Sequence, residues 1–324
     1  MMNTILRAKI RISEVNKAAS DNPSAFFSVC NGKYEQKVRS VAEKIKERIA
    51  QTHIIMLSGP SASGKTTTSM KIKEELAKLG ITAITISMDD FFKGKEKVPA
   101  QPDGKKDFES ISALDLDLLK SCLAGLIYKG RAELPVFNFK LGERDKKIRA
   151  VELSGGNVAI VEGLHALDTV VTEDFPPENV FKLYVSVSSD FVGQSGDTIL
   201  NARQMRLIRR TIRDFRFRGS SPENTLDMWD DVCEGEDRYI RPFKKYADMT
   251  INSAFSCEPC LFRSQAEELF SKVPEGSIHY DRAAELIRAL SEFRKIPMEM
   301  VPSDSMLREF IGGSIYFNAS AGKK

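Results

Sequence analysis

The sequence feature that most constrains the fold is a short stretch, Gly59–Thr66, which reads GPSASGKT. It fits the pattern G-x-x-x-x-G-K-[ST] at every fixed position. The glycines let the backbone fold tightly enough for successive N–H groups to converge on phosphate oxygens at the start of a helix. An apolar segment precedes the stretch and a helix-forming run follows it. The sequence therefore predicts a strand, a phosphate-binding loop and a helix, in that order.

Two side chains of this loop are expected to act on a bound nucleotide. Lys65 is expected to reach the β- and γ-phosphates, and the Thr66 hydroxyl is expected to bind magnesium. The predicted nucleotide-binding residues of the loop are consecutive: Gly59, Pro60, Ser61, Ala62, Ser63, Gly64, Lys65, Thr66 and Thr67. The pattern indicates a nucleotide but not the use to which the nucleotide is put.

The rest of the chain alternates short β-rich segments with longer helical ones. The predicted strands are 53–58, 81–87, 157–161, 181–187 and 248–252, and the predicted helices are 64–79, 113–128, 198–217 and 222–235. An amphipathic helix at 34–50 precedes this pattern, and helices at 264–273 and 280–293 follow it. Apolar strands alternating with helices are typical of an α/β fold with a parallel sheet covered by helices on both faces.

Composition excludes several classes of protein. The net charge of +3 is too small to indicate nucleic-acid binding by itself. No apolar run is long enough for a signal peptide or a membrane span. The five cysteines suggest no disulfide framework, and we expect a cytoplasmic protein with no membrane or nucleic-acid partner. Cys257 and Cys260 form a lone C-x-x-C without the second ligand pair of a zinc site, so chance or core packing is expected.

Acidic residues follow two of the predicted strands. Asp89 and Asp90 come directly after the strand at 81–87, and Glu162 follows the strand at 157–161. Ligands of open α/β sheets bind at the carboxyl ends of the strands, where these acids are delivered. One carboxylate there could accept a proton from an attacking hydroxyl while another holds Mg²⁺. The alternative is that they are solvated loop acids.

A third element is an arginine-rich helix. Its arginines fall within sixteen residues: Arg203, Arg206, Arg209, Arg210, Arg213, Arg216 and Arg218. Three interpretations compete, namely a solvated charged face, a nucleic-acid contact surface and a lid that clamps phosphate. We favour the lid, because phosphoryl transfer requires neutralisation of developing charge. The Gly219–Pro222 break gives such a lid a place to hinge.

Other uses of a phosphate-binding loop are less consistent with the sequence. A GTPase would need a guanine-reading N-K-x-D, which is missing, and Asp190–Gly193 matches D-x-x-G without a partner motif. A motor or remodelling ATPase usually has an apolar strand that ends in Asp-Glu. The corresponding strand here ends in Glu162–Gly163 instead.

The order of these motifs resembles the uridine kinase and phosphoribulokinase family of P-loop kinases. The resemblance runs from about residue 53 to residue 255 and is carried by the phosphate-binding loop and by SMDDFF, DFESISALD, LPVFNFKLGER, VAIVEGLHALD and RLIRRTIRDFRFRG. The later stretch MLREFIGGS resembles the tail of the bacterial nucleoside kinase-like branch. The resemblance implies an ATP- and Mg²⁺-dependent kinase that phosphorylates a hydroxyl of a small molecule.

By motif position the resemblance also implies residue roles. Asp89 falls on the family's catalytic aspartate and Glu162 on the glutamate near the metal, so the implied metal residues are Thr66, Asp89 and Glu162. Lys65 and Arg213 join Asp89 as catalytic residues, and Arg210 and Arg218 join the loop in binding ATP. The candidate acceptor residues are Asp90, Phe92, Glu109, Phe137, Arg144 and His165.

The acceptor segments depart from those of pyrimidine-nucleoside kinases. Such kinases typically show Asp-His-Pro where this chain has Glu109-Ser110-Ile111, and Tyr-Asp-Phe and then His where it has 137–139 and then Gly142. Phe92 and Ser220 replace a tyrosine and an arginine. Phe91, Phe92, Phe137 and Phe139 either line an aromatic acceptor pocket or pack in the core, and His165 either touches the acceptor or packs.

The sequence thus predicts three parts. Residues 1–52 form an N-terminal extension with an amphipathic helix, 53–255 a P-loop kinase core with an arginine-rich lid, and 256–324 a helical C-terminal appendage. The leading expectation is a nucleoside kinase. The alternatives are a kinase of another metabolite, such as a sugar phosphate or vitamin precursor, and a nucleotide-binding regulatory or RNA-associated protein. A homo-oligomer stays open, since the helix at 34–50 could serve an interface or pack on its own core.

Overall fold

The computed structural model describes residues 7–98, 106–107, 109–138, 141–153 and 155–317. In chain order its strands are β1 Ala8–Arg11, β2 Ile54–Ser58, β3 Ala83–Ser87, β4 Arg131–Leu134, β5 Phe137–Asn138, β6 Glu143–Arg144, β7 Arg149–Glu152, β8 Val158–Glu162, β9 Val180–Ser186, β10 Ser189–Val192, β11 Thr198–Leu200 and β12 Met249–Asn252. Its helices are α1 Ile12–Asp21, α2 Pro23–Glu47, α3 Lys65–Lys78, α4 Leu116–Lys129, α5 Thr169–Thr172, α6 Ala202–Arg218, α7 Pro222–Asp227, α8 Trp229–Tyr239, α9 Glu258–Phe270, α10 Tyr280–Ser291 and α11 Arg308–Ile311.

The centre of the fold is a five-stranded sheet in the order β12-β9-β2-β8-β3, with every pair parallel. Side chains alternate between two buried faces along each strand. On β2, Ile55 and Leu57 face a core shared with α2, α3, α6 and α9, whereas Ile54 and Met56 face a core shared with α4 and α5. Burial of both faces explains why these strands read as continuous apolar runs. The predicted α/β class with a helix-covered parallel sheet is confirmed.

The predicted helices 198–217 and 222–235 are not continuous helices in the structure. Residues 198–200 of the predicted helix 198–217 form β11 instead, which pairs antiparallel with β10. Helix α6 begins only after Asn201, whose side chain accepts hydrogen bonds from the N–H groups of Arg203 and Gln204. The predicted helix 222–235 is two helices, α7 and α8, which meet at Met228.

The N-terminal part contains more structure than the sequence predicts. Helix α2 starts at Pro23 rather than at residue 34, and Asn22 caps it by accepting a hydrogen bond from the Ala25 N–H at 3.0 Å. Strand β1 adds to β10 in parallel, and α1 follows it directly. The buried face of α2 packs on the core, with Tyr34 hydrogen-bonded to the Thr68 hydroxyl at 2.8 Å. This helix therefore packs on the core of its own chain.

The C-terminal part also packs on the central sheet. Helices α9 and α10 and the residues around α11 join the same buried cluster as α2, α3 and α6. Two small antiparallel pairs, β4–β7 and β5–β6, lie between α4 and β8 along the chain. None of the helices in the described ranges has an apolar run long enough to cross a bilayer.

Candidate active site

The acids after the predicted strands meet at one edge of the sheet. Glu162, the last residue of β8, pairs in register with Leu57 of β2 on one side and with Ser87 of β3 on the other. The Ser87 hydroxyl donates to Glu162 Oε1 at 3.2 Å and accepts a hydrogen bond from the Asp89 N–H at 3.3 Å. The parallel order of the strands thus places Glu162 and Asp89 beside the loop that follows β2. Ser87 links them, a position that the sequence analysis missed.

The loop between β2 and α3 has the conformation that its glycines predict. A Cβ added to Gly59 would lie 2.0 Å from the Val185 carbonyl oxygen, so the close approach of the two backbones requires glycine. Gly64 adopts a left-handed conformation with φ of 85°. Ala62 has φ of 58°, which is uncommon for a residue with a side chain. The loop therefore has an uncommon backbone conformation that an incidental turn would not need.

Opposite charges are gathered next to this loop. Burial lowers the pKa of Lys65, and the carboxylates of Glu162, Asp89 and Glu309 oppose that shift. Burial also raises the pKa of Glu162 to about 7, and the nearby Asp89 carboxylate adds to the rise. Asp89 is exposed, yet the surrounding protein removes enough hydration to raise its pKa against the attraction of Lys65. These three groups form one electrostatically coupled cluster.

The donor set fits a nucleotide polyphosphate with magnesium. Ser63 Oγ is buried in the loop and has no hydrogen-bond partner among the described residues. This hydroxyl could therefore form a hydrogen bond with a ligand. Among the described residues, the Lys65 ammonium donates a hydrogen bond to the Pro60 carbonyl of its own loop at 3.1 Å. Thr66, Asp89 and Glu162 supply oxygen atoms, and Mg²⁺ is usually bound through one or two carboxylates plus substrate phosphates.

Three of the arginines of α6 are buried against the loop. Arg206 donates to the Ser61 carbonyl at 3.1 Å and Arg210 to the Ser61 hydroxyl at 2.8 Å. Arg209 is fully buried, donates to the Ala62 carbonyl at 3.2 Å and forms an ion pair with the equally buried Glu258. The burial of Arg206, Arg209 and Arg210 contradicts the solvated-face interpretation. Arg206 and Arg209 thus hold the loop through its backbone carbonyl groups.

The three arginines assigned to the site share one anionic partner. Arg210, Arg213 and Arg218 each form an ion pair with Asp214, at 3.2, 2.8 and 3.4 Å. Asp214 is buried, and its pairs hold the three guanidinium groups together at the end of α6. A cluster of three cations around one anion has a net positive charge, which suits a surface that receives phosphate oxygens. Asp214 was also missed from the sequence, because an acid inside a run of arginines looks like a surface ion pair.

Residues assigned to the acceptor lie around the turn after β3. Asp90 Oδ1 accepts a hydrogen bond from the Phe137 N–H at 3.2 Å, and the rings of Phe92 and Phe137 lie 5.8 Å apart. Both rings are half-buried, whereas Phe91 is fully buried in the core. Phe139 lies outside the described residues. The structure therefore separates Phe91, a packing residue, from the half-buried pair of Phe92 and Phe137.

Glu109 and His165 lie on the other side of this region, against α8. Burial raises the pKa of Glu109, while the charge of Arg210 opposes the rise. A Cβ added to Gly235 would lie 3.0 Å from the Cβ of Glu109, so α8 contacts it directly. His165 is 5% exposed, and its Nδ1 has no hydrogen-bond partner among the described residues. The structure thus brings together Glu109, Arg210 and, nearby, His165.

Arg144, the remaining acceptor candidate, is engaged in an ion pair. Its guanidinium lies 3.0 Å from the carboxylate of Asp115, which caps α4 by accepting from the Leu118 N–H. Both side chains are about one-third exposed. An exposed pair of this kind is weak enough to rearrange when a ligand competes for the arginine.

The two cysteines of the C-x-x-C pair lie at the start of α9. Cys257 and Cys260 are buried in the core, and burial raises the pKa of both thiols. A thiol with a raised pKa is a poor metal ligand and a poor nucleophile at neutral pH. Within the described ranges, no group of three or more metal-ligating side chains is found.

The environment of His165 leads to a pH prediction. Burial lowers the pKa of His165 to about 4 from a usual 6.5, despite a hydrogen bond with the Glu109 backbone and the nearby Asp107 carboxylate. The unfolded chain therefore binds a proton that the folded chain refuses, and stability is lost as pH falls from 6.5 towards 4. We expect this group to cost roughly 2 kcal/mol at about pH 5.

Urea unfolding of the wild type and a His165→Gln variant, near pH 7 and near pH 5, checks this prediction. The variant loses packing at both pH values, so only the change between them is compared. We expect the wild type to lose more stability than the variant on acidification. Equal losses would show that His165 is protonated in the folded protein.

Comparison with known proteins adds independent information. A model of the phosphoribulokinase / uridine kinase family matches residues 54–257. A uridine kinase of Bacillus pumilus (strain SAFR-032) is 28% identical over 199 residues, which cover 61% of this chain and 85% of the relative. A uridine kinase of Macrococcus caseolyticus (strain JCSC5402) is 28% identical over 204 residues, covering 63% and 89%. Among solved structures, a D-glycerate 3-kinase of Cryptococcus neoformans var. grubii aligns with a TM-score of 0.45 and 16% identity, covering 62% of this chain and 87% of that one.

Proposed function

Because the chain belongs to the phosphoribulokinase / uridine kinase family, we propose that it is a cytoplasmic kinase that uses ATP and Mg²⁺ to phosphorylate a hydroxyl of a small molecule. A nucleoside is the first acceptor to consider. The observation that carries the proposal is the coupled cluster of Lys65, Asp89 and Glu162 at the carboxyl edge of the sheet, beside the phosphate-binding loop. In this proposal residues 53–255 form the catalytic core, and 1–52 and 256–324 are its extensions.

Asp89 is the proposed base. Its side chain is exposed, so an acceptor hydroxyl can approach it. Its raised pKa moves it towards the operating pH, where a general base is most effective. The Ser87 hydroxyl, which accepts from the Asp89 N–H, fixes the backbone from which this carboxylate projects. Asp89 would position the acceptor hydroxyl and take its proton as the oxygen attacks the γ-phosphorus.

The phosphoryl oxygens need positive charge as the bond to the leaving phosphate breaks. Lys65 and the cluster of Arg210, Arg213 and Arg218 would supply it from two sides of the loop. When bound, Mg²⁺ would add further charge neutralisation between the phosphates, and Thr66, Asp89 and Glu162 are the residues that would hold it. The half-buried Glu162, with its pKa near neutrality, is suited to losing its proton when a cation arrives.

The residues assigned to the acceptor favour a compound with a ribose-like hydroxyl over a pyrimidine base that is recognised by specific hydrogen bonds. Asp90, Glu109 and Arg144 are the polar groups assigned to the acceptor, and Phe92 and Phe137 offer a pair of half-buried aromatic rings beside Asp90. The side chains at positions 92 and 137 lack the hydroxyl of a tyrosine. Loss of a hydrogen-bonding reader can change discrimination by about four powers of ten. A non-nucleoside acceptor, such as a sugar phosphate or vitamin precursor, is therefore the second candidate.

A regulatory or RNA-associated protein fits the structure less well. That function would need the arginines of α6 on an accessible surface, but Arg206, Arg209 and Arg210 are buried against the loop. Buried guanidinium groups cannot release counterions from a nucleic-acid backbone. The proposal accordingly includes a small-molecule partner and no nucleic acid.

The proposal is tested by acceptor-dependent ADP release. The full chain is incubated with Mg-ATP and a panel of nucleosides, pentose phosphates and pantothenate-like alcohols. We expect at least one acceptor to stimulate ADP release well above the ATP-only rate. ATP that binds without acceptor-dependent release across the panel would count against the nucleoside and the sugar-phosphate assignments and would favour a sensing role.

A further inference from the structure

A carboxylate from the C-terminal part of the chain occupies the start of the phosphate-binding helix. Glu309 Oε2 accepts hydrogen bonds from the Thr67 N–H at 3.0 Å and from the Thr67 hydroxyl at 2.6 Å. Thr67 is the third residue of α3, so its N–H is one of the helix donors without an intrahelical partner. In a loop of this pattern such donors are offered to phosphate oxygens. Glu309 has taken the hydrogen bonds that a nucleotide phosphate would need.

The segment that carries Glu309 is firmly packed. We call residues 305–313 the C-terminal segment; its side chains Met306, Leu307 and Phe310 are fully buried. The Arg209 guanidinium lies 4.9 Å from the centre of the Phe310 ring. Met306 touches the loop itself, since a Cβ at Gly64 would lie 2.6 Å from its sulfur atom. The position of Glu309 is therefore fixed by the core and is not that of a loose tail.

Glu309 itself can move while the segment stays in place. Its side chain is half-buried, unlike those of its neighbours Met306 and Phe310. Rotation of this one side chain would free both donors of Thr67 without disturbing the buried residues. A carboxylate and a phosphate cannot share the same donors, because two negative charges at hydrogen-bond distance from one group repel each other. Nucleotide binding and the Glu309–Thr67 contact are thus mutually exclusive.

We propose that Glu309 is a residue of the nucleotide site that competes with a nucleotide phosphate for Thr67 and so lowers nucleotide affinity. The proposal rests on the proposed function, because it takes the loop to be the ATP site. Without nucleotide, Glu309 satisfies the donors at the start of α3. With nucleotide, the Glu309 side chain leaves and the phosphate replaces it. The C-terminal segment, which lies outside the family match, thereby acquires a function in the active site.

The test measures Mg-ATP binding to the full chain by titration calorimetry. Glu309→Gln keeps the size of the side chain and removes its charge, and Glu299→Gln makes the same change at an exposed position nearby in sequence. We expect about tenfold tighter ATP binding for Glu309→Gln, because charge-assisted hydrogen bonds are roughly twice as strong as neutral ones and the repulsion is removed. We expect no more than about a twofold change for Glu299→Gln, as for an exposed charge.

Thermal melting separates competition from a purely structural role. Glu309→Ala should melt at a lower temperature than the wild type without ATP, because the donors of Thr67 lose their partner. It should show a larger ATP-induced rise in melting temperature, because no carboxylate has to be displaced. A residue that merely holds the segment in place would lower the melting temperature without improving ATP binding.

The outcomes distinguish this inference from the proposed function. If the wild type binds ATP and Glu309→Gln binds it equally or more weakly, competition is refuted and the kinase proposal stands. If Glu309→Gln binds ATP and the wild type barely does, competition is supported in its strongest form. If the folded wild type and both Glu309 variants fail to bind ATP, the nucleotide site and the competition are both refuted.

Discussion

Asp89→Asn should reduce turnover by about 10²–10⁴-fold, the range that general acid–base catalysis typically contributes. The asparagine amide has nearly the same size as the carboxylate but cannot accept the proton of an acceptor hydroxyl. Asp89 is exposed, and its raised pKa indicates that the fold does not gain stability from its charge. We therefore expect the variant to fold as well as the wild type.

The measurement is kcat with Mg-ATP and the acceptor found in the panel, together with calorimetric ATP binding. ATP affinity should stay largely intact, because the loop, Lys65 and the other two residues proposed to hold Mg²⁺, Thr66 and Glu162, are unchanged. Asp117→Asn is a matched control, since Asp117 is an exposed acid in the first turn of α4 and has no assigned role. Near wild-type turnover of Asp89→Asn would show that another group is the base.

Lys65→Ala should impair nucleotide binding and turnover together. We expect ATP affinity to fall by about 10–100-fold, since a hydrogen bond to a charged group contributes about 1.5–3 kcal/mol. Turnover should fall by about 10²–10³-fold, the usual effect of removing one group that stabilises developing charge. Burial lowers the pKa of this ammonium group, so keeping it charged lowers the stability of the folded protein. We accordingly expect no loss of melting temperature in the absence of nucleotide.

Lys73→Ala is the control for this prediction, because Lys73 is an exposed lysine on the same helix, α3. It removes the same charge from the chain without changing the loop. Calorimetry and steady-state kinetics on the two variants separate a local effect from a change in net charge. Unchanged ATP affinity and rate in Lys65→Ala would contradict the assignment of the loop as a nucleotide site.

The central sheet could be predicted from sequence because its signals are local. Each core strand is buried on both faces and reads as an apolar run, and the phosphate-binding loop requires glycine at positions 59 and 64 for backbone reasons. The proximity of Asp89 and Glu162 could also be predicted, because the carboxyl ends of parallel strands lie at the same edge of a sheet. Membership of the kinase family followed from the order of these motifs along the chain.

Other features depended on partners far away in sequence. Strand β11 exists because β10 pairs with it, so residues 198–200 looked like the start of the following helix. A solvated face was one of the interpretations left open for the run of arginines on α6, but Arg209 is buried and forms an ion pair with Glu258, which lies on α9. The contact between Glu309 and Thr67 spans 242 residues. No periodicity or spacing within either segment could have indicated it.

Whether the protein transfers the γ-phosphoryl group of ATP to a hydroxyl is measured by following that phosphoryl group. The full chain is given Mg-ATP labelled on its γ-phosphate and the acceptor that stimulates ADP release, with Asp89→Asn in parallel. We expect the label to appear on the acceptor as a phosphate monoester, in an amount equal to the ADP formed. The variant should form little of this monoester. Label recovered only as inorganic phosphate, or ADP formed without any labelled acceptor, would contradict a kinase that uses a hydroxyl acceptor.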